Sequence, residues 1–155
     1  MHYLELIKQI DETLFEYQVN IDIIEKEGYE GDDIIGTLAT IAADNGHSAL
    51  ICTGDKDMMQ LVSPNIGIED PFKNMRIGRE QVYQKFNVYP EHIADLLALI
   101  GDSADGIRGV PGVGSKTAAG LIGQYGSLDN VIANLGDMKG RVAYLIQEGL
   151  ENLKL

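Results

Sequence analysis

LIGDSADGIRGVPGVGSKTA, the stretch from Leu99 to Ala118, joins two halves with different chemistry. The first half carries Asp102 and Asp105, which are three residues apart. This spacing places both carboxylates on one side of a helical turn, where they can share a hard cation and its waters. The first half therefore predicts a metal site built from oxygen ligands.

The second half has the pattern of a glycine-rich hairpin followed by a helix. Three glycines permit positive φ and close backbone approach: Gly109, Gly112 and Gly114. Pro111 fixes the bend, and Ser115 is placed to cap a helix whose free N–H groups face outward. Such a helix start binds anions, and Lys116 stands beside it. A metal-suited pair before a phosphate-suited hairpin suggests a protein that cuts or grips a nucleic-acid backbone.

Length and charge limit the possible classes of protein. The 155 residues make one ordinary domain, or one and a half small ones. No segment reaches membrane-spanning length, and the single cysteine, Cys52, lies in an apolar run, which predicts a buried thiol and a reduced, cytoplasmic setting. The net charge of −12 is unusual for a DNA-binding protein, because phosphate affinity normally comes from Lys and Arg. The acids are clustered, however, and bound divalent cations would reverse the local field.

Hydrophobic periodicity predicts a sheet-containing part followed by a helical part. The elements predicted in the first part are an amphipathic helix over Tyr3–Tyr17, a strand over Val19–Ile24, a turn at Lys26–Gly28, a helix from Glu30 to about Asn45, a buried strand over Ser48–Thr53, a short helix over Met58–Val62, and strands over Ile66–Glu69 and Met75–Ile77 joined by a turn at Asp70–Asn74. The helix that begins at Glu30 is expected to turn four apolar residues inward: Ile34, Ile35, Leu38 and Ile41. The helices predicted in the second part are Arg79–Phe86, Pro90–Ile100, Ser115–Gln124, Ser127–Asn134 and Arg141 to about Leu153.

Two further acidic clusters each allow two interpretations. Glu30, Asp32 and Asp33 open a predicted helix, where they are either metal ligands or acids that complement the helix dipole, worth about 0.3–1 kcal/mol each. Asp55 and Asp57 follow a predicted strand at its C-terminal end, where sites assemble in open α/β sheets. An extended backbone would project both carboxylates to the same side, whereas a turn would use them to cap the next helix. The residues alone leave both interpretations open.

Three motifs, in this order along the chain, resemble those of the structure-specific 5′ nucleases. They are GYEGDDIIGTLA at Gly28–Ala39, TGDKDM at Thr53–Met58 with Gln60-Leu61-Val62 after it, and the Leu99–Ala118 stretch. This family includes the 5′-to-3′ exonuclease domain of bacterial DNA polymerase I, phage 5′ exonucleases and flap endonucleases. The resemblance is collinear from about residue 19 to residue 135. It implies an α/β fold, with a partial PIN-like (Rossmann-like) sheet region over residues 1–75 and an all-helical region over residues 76–155 that contains a helix-hairpin-helix (H3TH) motif.

The resemblance also implies site residues and cofactors. Family members hold two divalent ions, Mg²⁺ or Mn²⁺, through acids that match Glu30, Asp32, Asp33, Asp55, Asp57, Asp102 and Asp105. Three of them, Asp55, Asp57 and Asp102, would act through these ions to hydrolyse DNA at a 5′ flap or duplex end, as replication and repair require. The residues implied to hold the duplex backbone, with K⁺ as a further ion, are Arg108, Gly109, Gly112, Val113, Gly114, Ser115, Lys116 and Thr117.

Family members also have a strand ending in Asp, a second metal-binding Asp and a basic arch, all ahead of the motif that contains Glu30. These features are not found in the 155 residues, so we expect a fused segment or a separate chain to supply them, and the chain alone to cut slowly. We also expect the sheet to expose an edge. Where the polymerase branch has Asn-Ile-Pro, this chain has Gly106-Ile107-Arg108.

The alternatives to a nuclease are a noncatalytic module that grips duplex DNA through the hairpin, and an acidic helical scaffold that binds no nucleic acid. Seven converging carboxylates repel one another unless cations compensate them. A module released from catalysis has no physical reason to keep so costly a cluster. The sequence therefore favours the nuclease.

Overall fold

The computed structural model describes residues 22–153. Among these, the residues up to Ile34 belong to one compact unit and those from Ile35 onward to a second. The helix predicted over Tyr3–Tyr17 and the first three residues of the strand predicted over Val19–Ile24 lie outside the described residues. Residues 22–24 are described and are not in a strand, so that part of the prediction is wrong.

The described elements follow the predicted change from a sheet-containing part to helices. The α-helices are α1 (Gly31–Asp44), α2 (Arg79–Phe86), α3 (Ile93–Ile100), α4 (Ser115–Tyr125), α5 (Leu128–Ala133) and α6 (Arg141–Gly149). The strands are β1 (Ala49–Cys52), β2 (Ile66–Asp70) and β3 (Met75–Ile77). Short 3₁₀ helices lie at Asp57–Leu61, Pro90–His92 and Leu150–Leu153. The helices predicted from Arg79 onward are confirmed, with 3₁₀ turns at the start of the second and the end of the last.

The three described strands form one sheet in the order β1-β2-β3. β1 and β2 are parallel, with Ala49 opposite Ile66, and β3 pairs antiparallel to β2 with Ile77 opposite Ile68. Because β1 and β2 run in the same direction, their C-terminal ends meet at one edge of the sheet. The loops that follow these two strands therefore leave from the same edge.

A continuous core joins the sheet to the helices within the second unit. α3 is the most apolar of the helices within residues 22–153, and its sequence IADLLALI buries five of its eight residues. It packs against the 3₁₀ helix Asp57–Leu61, α4 and α5. The largest hydrophobic side chains at the centre, each no more than 2% exposed, are Ile68, Ile93, Leu96, Leu99, Ile122 and Ile146. This packing brings the end of α3 close to the loop that follows β1.

The prediction for the inner face of α1 is wrong in part. Ile35, Leu38 and Ile41 are exposed, at 39%, 43% and 53%. The face that packs is made of small residues instead: Ala39 is buried, and a Cβ added to Gly36 would lie 3.5 Å from a methyl of Leu61. Small side chains allow the helix backbone to approach its neighbours closely, and this outcome of packing is not visible in the apolar periodicity.

β1 was predicted to be a buried strand, but it is buried at only one position. Ile51 faces the core, while Leu50 is 47% exposed and Cys52 is also exposed, so the prediction of a buried thiol is wrong. β1 has a partner strand on one side only among residues 22–153, which agrees with the expected exposed edge. Because successive side chains of a strand point to opposite faces of the sheet, Ile51 is packed while Leu50 and Cys52 face outward. Within the same residues, no helix is long and apolar enough to cross a bilayer.

Candidate metal centre and nucleic-acid interface

Three carboxylates meet at the edge of the sheet where β1 ends. Asp57, Asp102 and Asp105 each offer one oxygen, and these oxygens all lie within 4.8 Å of one another. Asp57 begins the 3₁₀ helix after β1, and the other two follow α3. Asp57 thus lies next to two aspartates that are 45 and 48 positions further along the sequence, because α3 packs against the 3₁₀ helix.

A closed turn positions Asp102 and Asp105. Backbone hydrogen bonds in both directions between Asp102 and Ile107, at 2.9 and 2.8 Å, form an isolated β-bridge that closes the turn. The Oδ1 atom of Asp102 also accepts the N–H of Ala104 at 3.0 Å. Asp102 and Asp105 were predicted to lie on a helical turn. This prediction is wrong, because α3 ends at Ile100 and the two residues lie in a turn closed by a β-bridge. The two carboxylates still lie close together because the bridged turn is tight.

Lys56 supplies positive charge to this group. Its Nζ donates to the Oδ2 atom of Asp102, which is only 7% exposed. The ammonium group holds the pKa of Asp102 below its ordinary value, and the same hydrogen bond raises the pKa of Lys56. Asp102 is consequently ionised and compensated at neutral pH.

Asp57 is compensated less than Asp102. Its Oδ1 atom is buried and has no hydrogen-bond partner among the described residues, and the Lys56 Nζ stays 4.0 Å away. Burial is the main cause that raises the pKa of Asp57; the charge of Lys56 opposes this rise, and the neighbouring acids add to it. A buried acceptor without a donor is costly unless a cation or water satisfies it. Asp57, Asp102 and Asp105 together offer the carboxylate oxygens that a hard divalent cation binds.

Asp55 lies in a turn, and its metal-ligand role stays a prediction. Its Oδ1 accepts the backbone N–H of Asp57 at 2.9 Å, and its own N–H donates to the Thr53 hydroxyl at 3.0 Å. The backbone between the two aspartates turns, so the prediction that an extended chain projects them to one side is wrong. The alternative, an acidic turn at the start of the next helix, is what residues 53–57 form.

Glu30, Asp32 and Asp33 lie in the first compact unit, at the beginning of α1. All three are exposed. The N–H of Glu30 donates to Asp33 Oδ2 at 3.2 Å. This contact agrees with the helix-start interpretation of the cluster. The ligand role of these three acids stays a prediction.

Close backbone contact fixes the glycine hairpin to the end of α3. A Cβ on Gly109 would lie 2.3 Å from the backbone nitrogen of Gly101, and Val110 N–H donates to Leu99 O at 2.8 Å. Gly109 and Gly112 have positive φ, as expected, at 63° and 86°. The hairpin is therefore joined directly to the turn that carries Asp102.

The prediction that Ser115 caps α4 is wrong. Gly114 occupies the N-cap position, with φ of −97°, and Ser115 is the first helical residue. The chain needs an extended residue here, and glycine has no side chain with which to cap the helix. Helix geometry leaves the N–H groups of the first turn without intrahelical acceptors, and Lys116 is exposed beside them.

The remaining residues predicted to contact DNA divide by burial. Arg108, Gly112 and Ser115 are exposed, and Thr117 is half-buried. Gly109 and Val113 are buried and hold the hairpin in the core. Lys56 was not singled out from the sequence, although a lysine between two aspartates in a strongly acidic chain is a recognisable signal.

Family models match both parts of the chain. A model described as the N-terminal resolvase-like domain of 5′-3′ exonucleases matches residues 3–87, and one described as their C-terminal SAM fold matches residues 88–155. Among curated proteins, DNA polymerase I of Rhizobium leguminosarum is 46% identical over 120 residues, which are 77% of this chain and 12% of that protein. A 5′-3′ exonuclease of Aquifex aeolicus is 41% identical over 114 residues, 74% of this chain and 39% of that protein. The chain thus spans well under half of the length of each relative.

Solved structures of phage T5 proteins share the fold. T5 5′-exonuclease with bound zinc ions aligns at a TM-score of 0.78 and 22% identity, over 99% of this chain and 59% of that one. T5 flap endonuclease, in a complex with DNA and metal ions, also aligns at 0.78 and 22% identity, over 94% of this chain and 57% of that one. These likenesses confirm the PIN-like α/β region followed by a helical region. With family models matched over residues 3–87 and 88–155, the chain belongs to the 5′-3′ exonuclease family.

Proposed function

We propose that this chain carries metal-binding and DNA-binding parts of a 5′ nuclease that hydrolyses DNA phosphodiesters at 5′ flaps or duplex ends. The relatives named above are a DNA polymerase I and a 5′-3′ exonuclease, and a structural neighbour is a flap endonuclease. Such an enzyme would act in the cytoplasm during DNA replication and repair. A fused segment or a separate chain would supply the ligands and the arch that the resemblance leads us to expect.

The observation that carries this proposal is the buried Oδ1 atom of Asp57 beside Asp102 and Asp105. One oxygen of each of the three carboxylates lies within 4.8 Å of the others, and Lys56 donates its hydrogen bond to Asp102 while its Nζ stays 4.0 Å from Asp57 Oδ1. A divalent cation would satisfy Asp57 and Asp105 together. From the resemblance to the 5′ nucleases, we propose that two Mg²⁺ or Mn²⁺ ions bind here and that further ligands come from Asp55, Glu30, Asp32 and Asp33. When bound, these ions would activate a water molecule and stabilise the charge that develops on the leaving oxygen.

The hairpin is proposed to hold the duplex on one side of the cleavage point. Gly112 and Gly114 leave the backbone uncovered, and the N–H groups at the start of α4 suit a phosphate. Lys116 and Arg108 add exposed positive charge to this surface. Because these contacts would go to the backbone, binding would not depend on base sequence. K⁺ is the further ion that we propose for the hairpin.

A second candidate is a noncatalytic module that binds duplex DNA through the hairpin alone. The pairing of Lys56 with Asp102 favours it, because that pair compensates part of the acidic group without any metal. The two candidates differ in what the acids do. In a nuclease, the acids are required for DNA cleavage. In a noncatalytic module, DNA is not cleaved at all, and loss of the acids would leave DNA binding unchanged.

A gel assay on a labelled 5′-flap duplex distinguishes them. We expect cleavage that depends on Mg²⁺ or Mn²⁺, slow for the chain alone and faster with the expected further segment supplied. Asp57→Asn and Asp102→Asn should each reduce the rate at least 100-fold, since small misplacements of reacting atoms already cost about that much. Asp44→Asn, a change at an exposed acid at the end of α1, is the matched control.

The proposal fails if the wild-type chain with the further segment binds the flap and leaves it uncut in Mg²⁺. Products that form equally in a chelator, or equally with Asp57→Asn and Asp44→Asn, would also contradict it. Binding without cutting would establish the module instead.

A further inference from the structure

Phe72 is held out into solvent next to the acidic group. Its side chain is 90% exposed, more than any other large hydrophobic side chain among residues 22–153. The ring nevertheless lies against the backbone, since a Cβ added to Gly54 would come within 3.2 Å of the Phe72 ring. Gly54 directly precedes Asp55, so the ring borders the loop that carries the acids.

The topology explains this juxtaposition. The acids at 55 and 57 follow β1, and Phe72 lies in the turn that follows β2. β1 and β2 are parallel, so both loops leave from the same edge of the sheet. The exposed ring and the proposed metal centre therefore share one surface.

A buried carboxylate fixes the turn that presents this ring. Asp70 is 1% exposed, and its Oδ1 accepts the backbone N–H groups of Phe72 at 3.0 Å and Lys73 at 3.1 Å. Its Oδ2 accepts the Lys73 ammonium group. The turn thus has a defined conformation in which the phenyl ring gains little burial. Covering an exposed apolar ring removes its surface from water, and this stabilises the complex with whatever covers it.

Positive charge also lies at this turn. Lys73 and Lys85 line a cavity of about 300 Å³ together with Met59, Met75 and other residues of β3 and α2. Burial is the main cause that lowers the pKa of Lys85, and Lys73 lowers it further. Lys73 is paired with Asp70, and the exposed Lys85 adds a second positive charge beside the same turn.

An exposed aromatic ring bordered by lysines is the combination with which proteins bind single-stranded nucleic acid, because every base has a face to stack and every phosphate a negative charge. We propose that Phe72 stacks on an unpaired base of the DNA substrate, and that Lys73 and Lys85 contact a neighbouring phosphate. This role rests on the proposed nuclease function, because the base in question belongs to the strand that reaches the acids.

The absence of tryptophan from the sequence gives a direct test. Phe72→Trp would place a single indole at the proposed contact, and Tyr144→Trp, at a 63% exposed position on α6, would place one at a matched control position. Both variants are titrated, in Ca²⁺ and at low salt, with a duplex that has a 5′ single-stranded overhang. We expect the overhang to quench the fluorescence of Phe72→Trp strongly and that of Tyr144→Trp little.

Affinity for the same DNA is measured by fluorescence anisotropy with a labelled duplex. Phe72→Ala should weaken binding of the overhang duplex roughly 5- to 100-fold, the range that loss of one stacked base gives. Blunt duplex should bind equally to both proteins. Phe72→Leu, which keeps apolar bulk without an aromatic face, should resemble Phe72→Ala, and Phe72→Trp should resemble the wild type.

Full affinity with Phe72→Leu or Phe72→Ala would overturn the stacking role, as would equal quenching of the two tryptophan variants. An equal loss for blunt and overhang DNA would overturn it as well, because the effect would not concern an unpaired base. If the wild-type chain binds none of these duplexes, the DNA-binding proposal itself fails. If the wild type binds and cuts while Phe72→Ala does the same, only the stacking role fails.

Discussion

Asp57, Asp70 and Asp102 are all largely withdrawn from solvent, yet their surroundings differ. Asp70 and Asp102 each accept a lysine ammonium group and backbone N–H groups, which lower the pKa of both. The Oδ1 atom of Asp57 accepts no hydrogen bond among the described residues, the Lys56 ammonium group stays 4.0 Å from it, and burial raises the pKa of Asp57. Asp70 and Asp102 are thus already compensated by protein groups. Asp57 is the one that a bound cation would stabilise.

The ion pair of Asp70 leads to a prediction about pH. Its pKa is lowered in the folded chain from an unfolded value of about 3.9, so its stabilising effect is present above that value and is lost as the pH falls through the folded pKa. We expect Asp70→Asn to lower the free energy of unfolding at pH 7, and the difference from wild type to shrink below about pH 4. Urea unfolding at several pH values measures this difference.

A difference that stays constant between about pH 3 and pH 7 would contradict the assignment, because it would owe nothing to the charge of Asp70. Asp44→Asn, at an exposed site, serves as the control that should track the wild type at each pH.

The acidic site was predicted from the sequence only in part. The motifs placed Asp57, Asp102 and Asp105 in one candidate site, and the structure brings these three together. They did not reveal that Asp55 turns back onto the Asp57 N–H, nor that Lys56 pairs with Asp102. Both features depend on the conformation of a short turn and on packing against α3. Local propensity specifies neither.

Two glycines of the hairpin between α3 and α4 differ in φ and in the space available for a side chain. Gly109 has φ of 63°, and a Cβ there would collide with the Gly101 backbone at 2.3 Å. Gly114 has φ of −97°, and nothing described lies within 4 Å of a Cβ added to it. The first glycine is required by the fold, whereas the second only keeps the helix start uncovered.

We therefore expect Gly109→Ala to reduce the free energy of unfolding by more than about 1 kcal/mol, because both the positive φ and the close approach oppose a side chain. Gly114→Ala should change it by no more than about 0.5 kcal/mol. Chemical denaturation of the two variants beside the wild type makes the comparison. Equal effects would show that the backbone contact between residues 101 and 109 does not hold the hairpin.

Elements differed in how well the sequence predicted them. The helices after Arg79 have start signals and clear periodicity, and their positions were predicted to within a few residues. Ser127, for example, caps α5 by accepting the N–H of Asn130. The inward face of α1 was wrong because Gly36 and Ala39, not the larger residues, make the contact. Periodicity alone gives small residues little weight.

For the whole molecule, the net charge of −12 and DNA binding are opposed unless cations are bound. Divalent ions at the acidic group would reduce this charge where the phosphate must approach, and the exposed Lys116 and Arg108 would then act against a weaker negative field. Metal binding is thus a precondition for both parts of the proposed function. It is also the central claim of the account.

The most direct test is the melting temperature of the chain with and without Mg²⁺ or Mn²⁺. An ion that binds only the folded state stabilises it by mass action, by about 2.7 kcal/mol at a concentration 100 times the dissociation constant. The variant Asp57→Asn with Asp105→Asn leaves the Lys56–Asp102 pair intact. In a chelator it should melt no lower than the wild type, because it removes the negative charge of a carboxylate whose buried Oδ1 has no hydrogen-bond partner. We predict that added Mn²⁺ raises the melting temperature of the wild type and of Asp44→Asn, but not that of the double variant. An equal rise in all three would contradict the claim.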